Sequence, residues 1–146
     1  MNLFIMRHGE SMQNAGLNEG CQYIDARIPL TEKGKEQVRK SCDKFVEYIK
    51  EHDIKINNNV VLKGLYSPYD RTLMTATIFE LWLKDMYGYK MDLKEHILLT
   101  EQQWGLFDSV PKSQWNEISK PGADAYFKAR QQDGKFWSKP YGDSPP

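Results

Sequence analysis

At 146 residues, with 40% hydrophobic and 27% charged side chains, the chain has the size and composition of one soluble domain able to bury a sizeable core. Twenty basic residues balance twenty acidic ones, which removes any general electrostatic reason for nucleic acid or an anionic membrane as partner and leaves anion attraction to local clusters. No apolar run approaches the ~18 residues of a membrane span, the Leu3 to Met6 run is too short for a signal-peptide core, and Cys21 and Cys42 are too few for a disulfide scaffold and lie in no metal-ligand spacing, so the expected compartment is the cytosol.

In chain order, the continuous apolar run Leu3 to Met6 predicts a strand buried on both faces that ends abruptly in the polar loop Arg7-His8-Gly9-Glu10. Residues 11 to 30 carry no clean period and contain Asn14, Gly16, Asn18, Gly20 and Pro29, which predicts a long surface loop. Thr31 is a candidate cap for a helix ending near His52, with Val38, Cys42, Phe45, Val46 and Ile49 on its buried face. Asn57-Asn58-Asn59 is a turn signal, and Val60 to Tyr66 reads as a second strand closing at Ser67-Pro68. A helix over 70–87 follows, with Met74, Ile78, Leu81, Trp82 and Met86 as its apolar stripe and Gly88 as its stop. Met91 to Leu99 reads as a third strand, and one short helix is predicted at Ala123 to Gln132. Strands alternating with helices predict an α/β fold, a three-layer α/β/α sandwich with a mostly parallel sheet, in a single domain covering 1–146.

The three strand ends carry Arg7-His8, then Ser67 to Arg71, then Glu101. Together they supply an imidazole, two guanidinium groups and a carboxyl group, and in open α/β sheets ligands bind outside the carboxyl ends of the strands. An imidazole nitrogen can attack phosphorus, guanidinium forks can hold the non-bridging oxygens, and a protonated carboxyl group can protonate the leaving alkoxide. Phosphoryl transfer is therefore the chemistry this set suits. His8-Gly9-Glu10 has the H-x-E form of zinc deaminases, but no P-C-x-x-C partner accompanies it, so no metal site is expected.

These segments resemble the histidine phosphatase superfamily, which includes phosphoglycerate mutases and broad-range phosphatases. The resemblance rests on Arg7-His8-Gly9-Glu10-Ser11 with Asn14 after an N-terminal strand, and on Leu30-Thr31 with Gly34 and Gln37, similar to an LTxxGxxQ motif. It extends through Ser67-Pro68 with Arg71, Thr75 and Ala76, similar to SPxxRxxxTA, and Glu101 with Trp104-Gly105, similar to an acid loop. It implies that His8 is the phosphorylated nucleophile, Arg7 and Arg71 the phosphate clamp, Asn14 a further phosphate contact and Glu101 the general acid, with Glu10 and Ser11 in support. His8 would attack as a neutral base, its other nitrogen oriented by a nearby carbonyl. Glu101 would be protonated through partial burial and the phosphate's charge. The implied partner is a small phosphorylated substrate, without a cofactor; oligomeric state is not legible.

The resemblance also implies a second active-site histidine followed by glycine, and the remaining histidines, His52 and His96, lack that glycine. Gly142-Asp143-Ser144 resembles the segment that opens the helix leading to it, and Ser144-Pro145 suits a helix start. The expectation is therefore a chain that stops before its C-terminal strand and helices, poorly stable and nearly inactive alone. The aromatic residues from Trp104 to Tyr141 read as packing of an irregular subdomain. Three functions compete: phosphomonoester hydrolysis, which the Glu101 to Gly105 segment resembles more closely; phosphoglycerate mutase-type transfer; and non-catalytic phosphate binding.

Overall fold

The computed structural model describes residues 2–18, 22–56 and 61–101 together with Gln114. The first helix, α1 (Glu32–Glu51), begins where expected because the Thr31 hydroxyl accepts the backbone N–H of Gly34 at 3.0 Å, satisfying one of the donors that every helix start leaves open. It buries Gly34, Val38, Cys42, Val46 and Ile49 along one line and ends at His52, whose ring stacks on Tyr48 one turn earlier. Burial pushes the Cys42 thiol up to about 12 and keeps it a neutral donor, 3.8 Å from the Phe79 carbonyl.

Strand β1 (Val61–Tyr66), helix α2 (Asp70–Tyr87) and strand β2 (Lys90–Glu95) form one β-α-β unit. The two strands pair in parallel from Val61 opposite Lys90 to Tyr66 opposite Glu95, so the described fold is α/β with a parallel sheet, as the alternation predicts. Gly88 stops α2 in the left-handed region, at φ 73°, where its N–H bonds back to the Lys84 carbonyl. Helix α2 rests on both strands and α1 rests on α2, with Val38, Cys42, Val46, Phe79 and Leu83 at the centre of the shared core.

Three elements depart from the sequence reading. Leu3 to Met6 is not a strand: among the described residues it joins no ladder, and a strand exists only through its partner's hydrogen bonds. The segment instead lies along α1, with Phe4 edge-on to Phe45 at 5.0 Å and to Tyr48 at 5.8 Å, while Leu3 and Ile5 face outward. The third strand is shorter than Met91 to Leu99. His96 makes the last ladder bond, to the Tyr66 carbonyl, and there β1 turns away into Ser67-Pro68, so residues Ile97–Leu99 coil into one 3-10 turn instead. A second such turn, Asp25–Arg27, interrupts the long loop, whose base is closed by the Ser11 to Leu30 bridge and the bond from Met12 N–H to the Pro29 carbonyl.

The buried face of α2 is also rotated from the expected one. Arg71, Thr75, Phe79 and Leu83 are its most buried line; Met74, Ile78 and Trp82 flank it, and Leu81 and Met86 are exposed. An apolar-stripe reading misses this because polar side chains with specific partners occupy the first half of the line. The expected helix at Ala123 to Gln132, the aromatic residues from Trp104 onward and the segment Gly142 to Pro145 lie outside the described residues. No helix among the described residues is long and apolar enough to cross a membrane.

A polar clasp joins the two helices on their outer side. The Asp43 carboxylate accepts both the Trp82 indole N–H at 2.8 Å and the Tyr87 hydroxyl at 2.7 Å. Those bonds, Trp82's first, hold the Asp43 carboxyl below its ordinary 3.8, and the bond to Asp43 is the main cause that pushes the Tyr87 phenol up to about 12. The Asp43 contribution to stability is present above 3.8 and lost as pH falls through the lowered value; the Tyr87 contribution is complete below 10 and lost as pH rises toward about 12. Asp43→Ala should therefore lower the urea midpoint most near neutrality, with the difference from the unaltered chain shrinking at both pH extremes. In the core, Leu83 is wholly buried, and Leu83→Ala should cost about 2–5 kcal/mol in urea unfolding because the packed helices cannot collapse onto the space.

Candidate active site

The loop after Met6 is held in place by backbone contacts that only small or specific side chains allow. Gly9 lies flat against the first turn of α1: a Cβ on Gly9 would strike the Gly34 carbonyl, and a Cβ on Gly34 would strike the backbone of Glu10. The neighbouring peptide groups are then tied down individually. Gly9 N–H donates to the Thr75 hydroxyl at 3.2 Å, Glu10 N–H donates to Gln37 Oε1 at 2.9 Å, and the Glu10 carbonyl accepts Thr31 N–H at 2.9 Å. Thr31, Gly34 and Gln37 thus have one shared task, which is to dock the loop on α1.

The Glu10 side chain strengthens the same joint. Its carboxylate pairs with Lys33 at 2.8 Å and accepts the Thr31 hydroxyl at 2.9 Å, and these bonds, that from Lys33 first, hold its carboxyl below the ordinary 4.5. Ser11 is buried and interlocked with Asn14: Asn14 Oδ1 accepts from the Ser11 N–H and hydroxyl, and the Ser11 oxygen accepts Asn14 N–H. Farther along, buried Asn18 bridges Gln13 and both backbone polar groups of Tyr23.

His8 stands half-buried on this base with Nδ1 2.7 Å from the Gly9 carbonyl oxygen. A carbonyl only accepts, so the contact places a proton on Nδ1, and in the neutral ring Nε2 is the nitrogen that keeps the lone pair. Arg7, His8, Glu10, Asn14 and Gln37 line a shallow cavity of about 320 Å³, which brings together three of the residues singled out from the sequence.

The other two meet each other. Arg71, in the first turn of α2, is buried; its guanidinium donates to the Asp25 carbonyl at 2.7 Å, to the Asp25 carboxylate at 3.0 Å and to Glu101 Oε2 at 3.2 Å. It also lies over the Tyr69 ring at 4.4 Å, while the Tyr69 hydroxyl donates to the Glu101 carbonyl at 3.1 Å. Glu101 is 65% exposed at its side chain and ion-paired, so the partial burial expected for a proton donor is not present in this state. Arg71 and Glu101 do not line the His8 cavity. Among the described residues, the buried Ser67 hydroxyl just beyond β1 has no hydrogen-bond partner.

Asp25 was not legible as a site residue, since one acidic residue in a long loop carries no signal of its own. Gln37 and Thr75 were visible as motif positions, but their tasks required the fold. The remainder of the acid-loop segment, Trp104-Gly105, lies outside the described residues.

The sequence matches the histidine phosphatase superfamily (branch 1) over residues 3–145, so the chain belongs to that superfamily. It is 45% identical to phosphoglycerate mutase 2 of Saccharomyces cerevisiae over an alignment covering 92% of this chain, and it spans about half the length of that relative, 48%.

The packing of Gly9 on Gly34 reverses the usual effect of a substitution. Gly→Ala in a helix ordinarily gains about 1 kcal/mol, but Gly34→Ala should push Glu10 off α1, lowering the melting temperature and shifting the Gly9 and Glu10 amide resonances while the amides of β1 and β2 stay in place.

Proposed function

We propose that this chain carries the phosphoryl-accepting residues of a histidine phosphatase that hydrolyses phosphomonoesters through a phosphohistidine on His8. The observation that supports it most strongly is the His8 ring itself, held through Nδ1 on the Gly9 carbonyl and lining a cavity it shares with Arg7 and Asn14. Nε2 attacks phosphorus, the bond from phosphorus to the leaving oxygen breaks, and Glu101 in its acid form gives that oxygen a proton. Water then attacks the phosphohistidine, releasing inorganic phosphate and restoring the imidazole. Arg7, Asn14 and Arg71 hold the phosphoryl oxygens, for which the substrate's phosphate must take the place of the Glu101 carboxylate at Arg71. That exchange releases Glu101 as a carboxylate, which takes up a proton from solvent before it serves as the acid, and recovers one from the attacking water in the second step.

The ligand in this reading is a small phosphorylated molecule, handled in the cytosol without metal or cofactor, nucleic acid or membrane. A second reading, transfer to another substrate hydroxyl rather than to water, is favoured by the relative named a phosphoglycerate mutase. A third, phosphate binding without turnover, remains distinct because it forms no covalent intermediate.

Incubation with a generic aryl phosphate separates the three. Hydrolysis predicts acid-labile phosphate on the protein and release of inorganic phosphate, both lost in His8→Ala; transfer predicts that added 3-phosphoglycerate, with a bisphosphorylated primer, receives the phosphoryl group instead. Binding alone predicts saturable phosphate uptake lost in Arg71→Ala, with no acid-labile phosphate at all. On the hydrolytic reading Arg71→Ala should lower kcat/KM by roughly 100- to 1000-fold, as measured by phosphate release.

A further inference from the structure

We propose that Thr75 is a positioning residue for the reaction, setting the placement of the His8 loop relative to Arg71 through a two-bond chain. The inference deepens the phosphohistidine reading and rests on it. Gly9 N–H donates to Thr75 Oγ1 at 3.2 Å, and the same hydroxyl donates to the Arg71 carbonyl at 2.7 Å, so one buried oxygen joins the peptide next to the nucleophile to the residue that would clamp the phosphate. Both bonds are buried and Thr75 itself is 6% exposed.

A threonine in a helix commonly turns its hydroxyl back on the carbonyl four residues earlier, and that bond alone would be unremarked. Here the back-bond also sets the hydroxyl's role: with its proton committed to Arg71, its lone pair faces Gly9, 66 residues away in sequence. Chained hydrogen bonds polarise one another, and loss of the central hydroxyl leaves two buried backbone groups affected rather than one. The Gly9 residue is then fixed on three sides, its N–H by Thr75, its Cα by the Gly34 carbonyl and its own carbonyl by the His8 ring. Contacts to α1 alone locate the loop against one helix; among the described residues it is the Thr75 hydrogen bond that references it to the helix that carries Arg71. Alignment of a nucleophile with the groups that hold its target is sensitive to shifts of about 1 Å.

The test compares the unaltered chain with Thr75→Val, which keeps the shape and removes the hydroxyl, and Thr75→Ser, which restores it. Two readouts are used: hydrogen exchange of the Gly9 amide, and formation of acid-labile phosphate on His8 with phosphoramidate as donor, its P–N bond breaking as the Nε2–P bond forms. In a folded Thr75→Val the inference expects faster Gly9 exchange and a roughly 10- to 100-fold slower phosphorylation, with Thr75→Ser within a few-fold of the unaltered chain. Phosphorylation of Thr75→Val at the unaltered rate would overturn it, as would a failure of serine to rescue. If Thr75→Val does not fold, Gly9 decides: slow exchange of its amide in the unaltered chain and in Thr75→Ser supports the tie, and exchange as fast as that of exposed loop amides overturns it. If the unaltered chain accepts no phosphate, as its expected near-inactivity alone would have it, the same Gly9 comparison still decides whether the tie exists.

Discussion

The constraint on which the site depends is the direct approach of two backbones, at Gly9 and Gly34. Main chain packed on main chain leaves no compliant side chain between the loop and the helix, so the loop inherits the rigidity of α1. The remaining contacts follow from that approach. Thr31 is near enough to cap its helix and bond Glu10 at once, Gln37 farther along the helix accepts the Glu10 N–H, and Lys33 closes over the Glu10 carboxylate. His8 is thereby presented on a base built from a different part of the chain, with its tautomer set by the residue that follows it.

A second theme is competition for Arg71. Its guanidinium is buried and surrounded by Asp25, Glu101 and the Tyr69 ring, so its charge is compensated within the protein. Leaving such a group buried and unpartnered would be costly, whereas a carboxylate that is mostly exposed can exchange with a phosphate oxygen of similar geometry. Asp25 approaches Arg71 through both its carbonyl and its carboxylate; in the proposed reaction it is the partner that stays, and Glu101 the one that gives way.

Much of this was legible in the sequence because it depended on local rules. The limits of α2 follow from the Ser67-Pro68 turn and the left-handed Gly88, and those of α1 from the Thr31 cap. His8, Arg7 and Asn14 come together because a short loop leaves them little alternative. What escaped depends on distant partners. Leu3 to Met6 has the composition of a buried strand, yet the described residues give it no neighbour to pair with. Ile97–Leu99 is as apolar as a strand but outruns the end of β1. The buried line of α2 begins with an arginine and a threonine, which no hydrophobic period reveals. Asp25 acquires meaning only when the fold brings it to Arg71.

The measurement that tests the central claim most directly is a long-range nitrogen–proton NMR spectrum of the His8 ring in the neutral form. The account predicts a protonated Nδ1, coupled to the Gly9 carbonyl, and an unprotonated Nε2 free to attack. A ring protonated at Nε2 with Nδ1 bare would contradict it, because the nitrogen proposed to attack would then have no lone pair to offer and Nδ1 no proton for the Gly9 carbonyl.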